Sequence, residues 1–333
     1  DHSESAPRIE AILTLLEEAR LLDRLHHIEP RSATDDDLAL VHHPRYLAAL
    51  RRACAEGGGW VDFDTYLVPG SFAAAAQAAG ACLAAVDAVL AGDVRSAFCA
   101  VRPPGHHARP PQGMGFCLLN NVAVAAQYAR TRRGLDRVAI VDLDVHHGNG
   151  TQDAFYADPN VLYISTHQYP YYPGTGALDE TGPDGPPSGG AGIGVGATVN
   201  LPLPPGSGDD QYRAAFEQVI EPVVRRFRPQ LILVSQGFDA HHADPIAFLS
   251  LSVAGYGECA ARLRALADEL CDGRIIFVLE GGYDLTALSW GVRHIIELLL
   301  DLPPTPDPLG PTPTPGPDIS ALLSEVQRVH NLG

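Results

Sequence analysis

The 333-residue chain contains no lysine, one methionine and two tryptophans. All 23 basic residues are arginine, set against 40 acidic ones for a net charge of −17. The missing lysine reads as codon bias. The acidic balance excludes the positive surface that displaces counterions in nucleic-acid binding, and weakly favours cationic substrates or basic protein tails. Cysteine is also scarce. Cys54, Cys82, Cys99, Cys117, Cys259 and Cys271 are scattered, with no C-x-x-C pair. This excludes a disulfide framework and a thiolate zinc site, and suggests reduced core residues. The first residues show no leader pattern, and no apolar stretch of ~20 residues is expected. The expectation is a cytoplasmic protein with no membrane partner, although the sequence begins at Asp1 without an initiator methionine.

What is present suffices for one large core, with 46% hydrophobic and 19% charged residues. The spacing predicts helices over 6–25 and over 71–92, the latter rich in alanine and closed by glycine. Five short apolar runs then alternate with helical stretches near 117–133, 209–227, 252–270 and 285–301. The runs are 96–101, 138–145, 161–167, 231–237 and 275–281. Continuous apolar runs of this length suit strands covered on both faces. The pattern predicts a single-domain α/β fold, an open and mostly parallel sheet flanked by helices. It covers residues 1–301. Residues 302–333 form a proline-rich extension with a short helix near 318–329. A glycine- and proline-rich loop occupies 173–196.

Each run ends in a polar cluster: RPPGHHA, DLDVHHGNG, STHQ, SQGFDAHHADP and EGGYD. Ligands of open α/β sheets bind outside the carboxyl ends of the strands. The clusters are therefore expected to converge. If the strand at 138–145 continues, Asp142, Asp144 and His146 point to one face. Asp144 and His146, joined by Asp239, would then form a metal site with an open position. That is the pattern of catalytic zinc, though oxygen-rich ligation also admits Fe²⁺, Mn²⁺ or Co²⁺. His106 and His107 offer an acid–base pair, with Asp142 and Asn149 available to orient them. Tyr283 offers an oxyanion donor, and Gly281 and Gly282 allow close approach. His147 reads as structural, and Asp244 before Pro245 reads as a turn residue.

The blocks RPPGHHA, GFCLLNNVAVAA, DLDVHHGNGTQDAFY, STHQYPYYPGTG, GFDAHHADP and LEGGYDL resemble the zinc-dependent histone deacetylase family, which includes bacterial histone deacetylase-like amidohydrolases, acetoin-utilisation proteins and acetylpolyamine amidohydrolases. The blocks run in order from about residue 102 to 285. His2, Glu4, Pro7 and Arg8 resemble the family's N-terminal H-x-E-x-x-P-R pattern. The strand that usually precedes that pattern is not in the sequence. The resemblance implies the arginase/deacetylase-like fold, with zinc (or Fe²⁺ in the cell) on Asp144, His146 and Asp239. It implies His107 as general base, Asp142 supporting His106, Asn149 supporting His107, and Tyr283 as transition-state donor. The Asn at 149 and the GFDA sequence are similar to class II. Phe116 and Tyr172 would wall an acyl-lysine tunnel beside Gly115 and Gly281. Tyr172 stands where Phe is usual. Asp64 and Ile246 would lie at the rim. Structural K⁺ is implied at Asp142, Asp144, His146, Ser165 and Thr166, and again at Phe155, Asp158 and Val161.

The resemblance implies a hydrolase that removes acyl groups from lysine in peptides or proteins, or from small acylamides. Inhibition by hydroxamates is expected. Three alternatives stand beside it. An acetylpolyamine amidohydrolase would need an acidic gatekeeper, and Ile246 after D-P offers no charge. The insertion that promotes dimerisation in such enzymes is not evident, so a monomer is expected. An arginase-like binuclear hydrolase is suggested only by DAHHAD at 239–244. A silent acyl-lysine binding module would need neither His107 nor Tyr283.

Overall fold

The structure, a computed structural model, describes residues 2–183 and 197–332. Of the loop expected at 173–196, residues 184–196 lie outside the described residues. The chain opens with helices α1 (Pro7–Glu18), α2 (Asp35–Leu38) and α3 (Pro44–Ala55). A two-residue antiparallel pair follows, β1 (Gly59–Trp60) and β2 (Tyr66–Leu67). Next come α4 (Ser71–Ala91), β3 (Ser96–Cys99), α5 (Asn121–Thr131), β4 (Val138–Asp142) and α6 (Asn149–Phe155). The second half contributes β5 (Val161–Gln168), β6 (Thr198–Leu203), α7 (Asp209–Ala215), α8 (Glu221–Phe227) and β7 (Leu231–Gln236). It ends with α9 (Val253–Leu270), β8 (Ile275–Leu279), α10 (Leu285–Leu299) and α11 (Ser320–His330).

Six parallel strands form one sheet in the order β3-β8-β7-β4-β5-β6. Side chains of β4 alternate between two cores: Ala139 and Val141 face one, Val138 and Ile140 the other. Burial on both faces explains why the strands read as unbroken apolar runs. The first core packs α1, α7–α11 and one sheet face; the second packs α3–α5 and the opposite face. All six cysteines are buried and free.

The five expected strands are present, and β6 is a sixth that the pattern missed. It contains Asn200 and Pro202, and proline is tolerated there because β6 is an edge strand. The first helix ends at Glu18, earlier than expected. Helix α3 and the short α6 were not expected. The segment 209–227 is helical throughout, through a π-helical turn at Phe216–Ile220. One expectation is corrected. Ser71–Ala91 is a 21-residue helix with a mean hydropathy of 1.6, long and apolar enough by composition to cross a membrane. Its alanines pass that test while packing in the second core, where Ala79, Cys82, Leu83 and Val86 are fully enclosed.

The proline-rich stretch lies against the body. Glu297 accepts hydrogen bonds from the Thr305 N–H at 2.8 Å and its hydroxyl at 2.5 Å. Gln211 Nε2 donates to Pro317 O at 2.9 Å. Beyond it, Leu323 and Val326 of α11 enter the first core.

Candidate active site

Strand β4 stops at Asp142, so Asp144 and His146 are not strand residues as expected. They converge through local hydrogen bonds. Asp142 Oδ1 accepts from the Asp144 N–H at 3.2 Å, and Asp144 Oδ1 from the His146 N–H at 2.9 Å. Asp239 follows β7 and is tied to the same turn, accepting from the Val145 N–H at 3.0 Å. Asp144, His146 and Asp239 thus form a buried triad whose candidate ligand atoms all lie within 4.8 Å of one another. Among the described residues it is the one such group of three.

The donor set fits a divalent cation. His146 Nδ1 lies 3.1 Å from Asp144 Oδ1 and 3.3 Å from Asp239 Oδ2. Asp239 Oδ2 is buried with no hydrogen-bond donor of suitable geometry. Burial and the neighbouring Asp144 raise the Asp239 pKa, so the two carboxylates crowd each other at the site. Two glycines make room. A Cβ at Gly281 would run into the carboxylates of Asp239 and Asp144, and one at Gly237 into Asp144.

The tandem histidines stand beside the triad with ring centroids 4.0 Å apart. Their partners differ. His106 Nδ1 donates to the Asp142 carboxylate at 3.1 Å, whereas His107 Nδ1 donates to the Asn149 amide oxygen at 2.8 Å. Burial disfavours charge on both. For His106 it is outweighed by Asp144 and Asp142, which hold the pKa well above the ordinary value. For His107 burial is reinforced by His106 and His146, and the pKa falls well below it. The two rings therefore differ in charge preference, His106 favouring the protonated form and His107 the neutral one.

Only Glu280–Tyr283 separate the end of β8 from Asp284, whose side chain caps α10 by accepting from the Ala287 N–H at 2.8 Å. Tyr283 is therefore fixed at a helix start. Its N–H donates to Asp244 Oδ2 at 2.7 Å, and the Arg8 guanidinium lies 5.0 Å over its ring. Arg8 is fully buried and donates to the carbonyls of Gly282 at 2.8 Å and Glu280 at 2.5 Å.

A narrow pocket of about 90 Å³ leads to this centre. Its lining includes Phe116, Tyr172, Gly115, Asp64, Ile246 and Gly281, together with both histidines, Asp144, His146 and Tyr283. The expected tunnel and rim residues are thus brought together. Gly115 (φ +57°) is required, because a Cβ would strike the His107 ring at 2.5 Å. The Tyr172 hydroxyl is buried without a partner. His147 is bonded to Thr175 Oγ1 at 2.7 Å and Gln152 Oε1 at 3.0 Å, so it braces the following loop, as expected of a structural residue.

The residues suggested for K⁺ fall in two places. Ser165 pairs with Asp142 across β4 and β5, and Thr166 Oγ1 donates to the Asp142 carbonyl at 3.2 Å. Phe155, Asp158 and Val161 make a turn: the Asp158 N–H donates to Phe155 O at 2.8 Å and the Val161 N–H to Asp158 O at 3.4 Å.

Several functional positions escaped sequence reasoning. Glu280 is fully buried, and its Oε2 accepts from the N–H groups of Gly105 at 2.6 Å and His106 at 3.1 Å. It fastens the histidine loop to the tyrosine loop. A charged residue placed straight after an apolar strand was the signal that could have found it. Asp244 is more than a turn residue. It accepts from the Tyr283, Asp284 and Ile246 N–H groups, which also removes the DAHHAD support for a second metal. Arg8 was noticed only as part of a motif. Tyr163, which donates to Asp142 Oδ2 at 3.1 Å, gave no signal within its strand.

An α/β sheet with an Asp/His/Asp cluster, two differently braced histidines and a tyrosine at its strand ends defines a metal-dependent hydrolase centre. Residues 2–299 match the histone deacetylase domain, and the chain belongs to that family. It is 43% identical over 321 residues to "Histone deacetylase 10, chloroplastic" of Oryza sativa subsp. japonica, covering 91% of this chain and 70% of that one. It is 44% identical over 286 residues to a "Probable deacetylase" of Archaeoglobus fulgidus, covering 85% and 77%. The crystal structure of the HDA15 HD domain superposes with a TM-score of 0.87 at 37% identity, over 99% of this chain and 87% of that one. The protein is an enzyme of the amidohydrolase class, and zinc dependence is typical of its family.

Proposed function

We propose that the protein hydrolyses the amide of Nε-acyl-lysine in peptides or proteins. The observation that carries this reading is the division between the tandem histidines, one braced by a carboxylate and the other by an amide, at the base of a narrow aromatic-walled pocket. Asp144, His146 and Asp239 would hold the ion, assigned as zinc with Fe²⁺ as the alternative. Bound there, it supplies Lewis acidity to the amide carbonyl and acidifies the attacking water.

The side chains do the rest. His107 Nδ1 is engaged by Asn149, which leaves Nε2 as the atom that takes a proton from water. The proton then passes to the departing lysine amine. His106, held by Asp142, keeps positive charge beside the developing negative charge. Tyr283 donates its hydroxyl to the oxyanion. Phe116 and Tyr172 enclose the lysine methylenes and exclude water. Structural K⁺ at the two candidate sets belongs to the same proposal; melting in KCl against tetramethylammonium chloride tests it.

The test is a side-by-side assay of metal-loaded protein on acetyl-lysine peptides, longer acyl-lysine peptides and acetylpolyamines. Tyr283→Phe and a chelated sample serve as controls. Peptide turnover lost in both controls is expected. Turnover of acetylpolyamines alone, or of nothing by a protein with bound metal, would sink the assignment.

A further inference from the structure

Isolated exposed hydrophobic side chains are ordinary, but a connected group of them beside a pocket marks a binding surface. Among the described residues, the four most exposed large hydrophobic side chains are Phe63 (74%), Trp60 (71%), Phe248 (65%) and Tyr66 (49%). All four connect with the candidate site through aromatic contacts. Phe63 lies 6.1 Å, centroid to centroid, from Tyr172 of the pocket wall. Phe248 lies 6.1 Å from Tyr171, which stacks on His146 at 5.8 Å. Tyr66 meets His2 at 5.7 Å, and His2 meets Phe116 at 4.7 Å; Trp60 packs on Tyr66. The exposed rings, on two separate segments, form a collar that joins the pocket residues Tyr172, His146 and Phe116 through these contacts.

The collar contributes little to the fold. Phe63, Trp60 and Tyr66 sit on or between strands of only two residues. In the same turn Asp62 accepts from the Phe63 N–H and Asp64 from the Thr65 hydroxyl, both at 2.7 Å. Uncommitted apolar area is what this surface offers to a partner.

We infer that the collar binds the polypeptide on either side of the acyl-lysine, and that the preferred substrates carry aromatic or branched apolar residues next to that lysine. This inference rests on the deacylase reading. Its basis is continuity. An acyl-lysine side chain seated in the pocket draws its own backbone across the mouth, and an extended chain advances about 3.3 Å per residue. The neighbouring side chains therefore come down on Phe63 and Phe248. A free acylated amine has no side chains to place there.

The experiment uses the full chain loaded with zinc. It compares kcat/KM on Gly-Phe-Lys(acetyl)-Phe-Gly, on its Ser-flanked counterpart and on a small capped acetyl-lysine amide. The Phe-flanked peptide is expected to exceed the Ser-flanked one by roughly tenfold, through KM. The double variant Phe63→Ser, Phe248→Ser is expected to bring that ratio close to one. Both substitutions keep the backbone hydrogen bonds of Phe63 to Asp62 and of Phe248 to Gln168, and melting curves confirm the fold. Equal rates in the parent protein, or a ratio the double variant leaves intact, would overturn the inference. Fluorescence anisotropy with labelled peptides reads the collar without turnover, and binding indifferent to the flanking residues would overturn it as well. Failure to hydrolyse even the small amide strikes instead at the deacylase reading. A concentration-dependent dimer in sedimentation velocity, dispersed by the double variant, would assign the collar to a second copy of the chain and overturn the substrate role.

Discussion

The floor of the pocket and its collar are built on opposite principles. Asp142, Asp144, His106 and Asp239 are almost wholly removed from solvent, and each is tied by hydrogen bonds to another strand end or its loop. The collar has large side chains in open solvent on short loops. Buried charge is costly and survives only when braced, whereas exposed apolar area costs the fold little. The difference separates chemistry, which depends on sub-ångström positioning, from recognition, which depends on area.

The comparison can be broken most severely at the triad. Asp239→Ala should lower hydrolysis by more than about 10³-fold and reduce bound metal, measured by turnover and elemental analysis. Next in size, Tyr283→Phe should cost about 10²–10³-fold in kcat with metal content unchanged. Acid should attack the frame around the floor. Burial holds His42 and His167 at about 4 instead of 6.5. Their neutral forms therefore favour the fold fully above pH 6.5, and that contribution is lost as pH falls through about 4. It is worth on the order of 3 kcal/mol for each ring, and chemical denaturation across pH 4–7 would show it as a falling midpoint. Glu280→Gln should then cost about 10- to 50-fold in kcat with little change in KM, because it loosens the histidine loop without touching substrate. Steady-state kinetics on the small amide check this, and a KM effect of equal size would place Glu280 in binding. At the lower end, Phe248→Ser should shift the melting temperature by no more than about 1 °C; a larger loss would make the collar part of the frame.

Legibility in the sequence followed the same division. Strands β4, β5, β7 and β8 were readable because burial on both faces leaves a continuous apolar run, and β3, an edge strand of alternating burial, because its short run is still apolar. Edge strand β6 was not, since its single partner strand tolerates Asn200 and Pro202. Asp144, His146 and Asp239 were visible as polar clusters after those runs. Glu280 and Asp244 act by accepting backbone N–H groups, and nothing in a residue's own letter shows which distant amide will face it. The collar was hidden for another reason: the letters of Trp60, Phe63 and Tyr66 do not show that the fold leaves them uncovered.

The side-chain ion pairs of this molecule have arginine or histidine as their cation, in keeping with a sequence of 333 residues that has no lysine. The chain thus presents no ε-amine on which the proposed substrate group could be installed. Whatever acylating agent modifies its targets, this stretch of protein is chemically silent to it at every side-chain amine. It can neither accumulate that mark nor occupy a neighbouring copy's pocket with it, and any acyl-lysine signal in a reaction mixture belongs to the substrate.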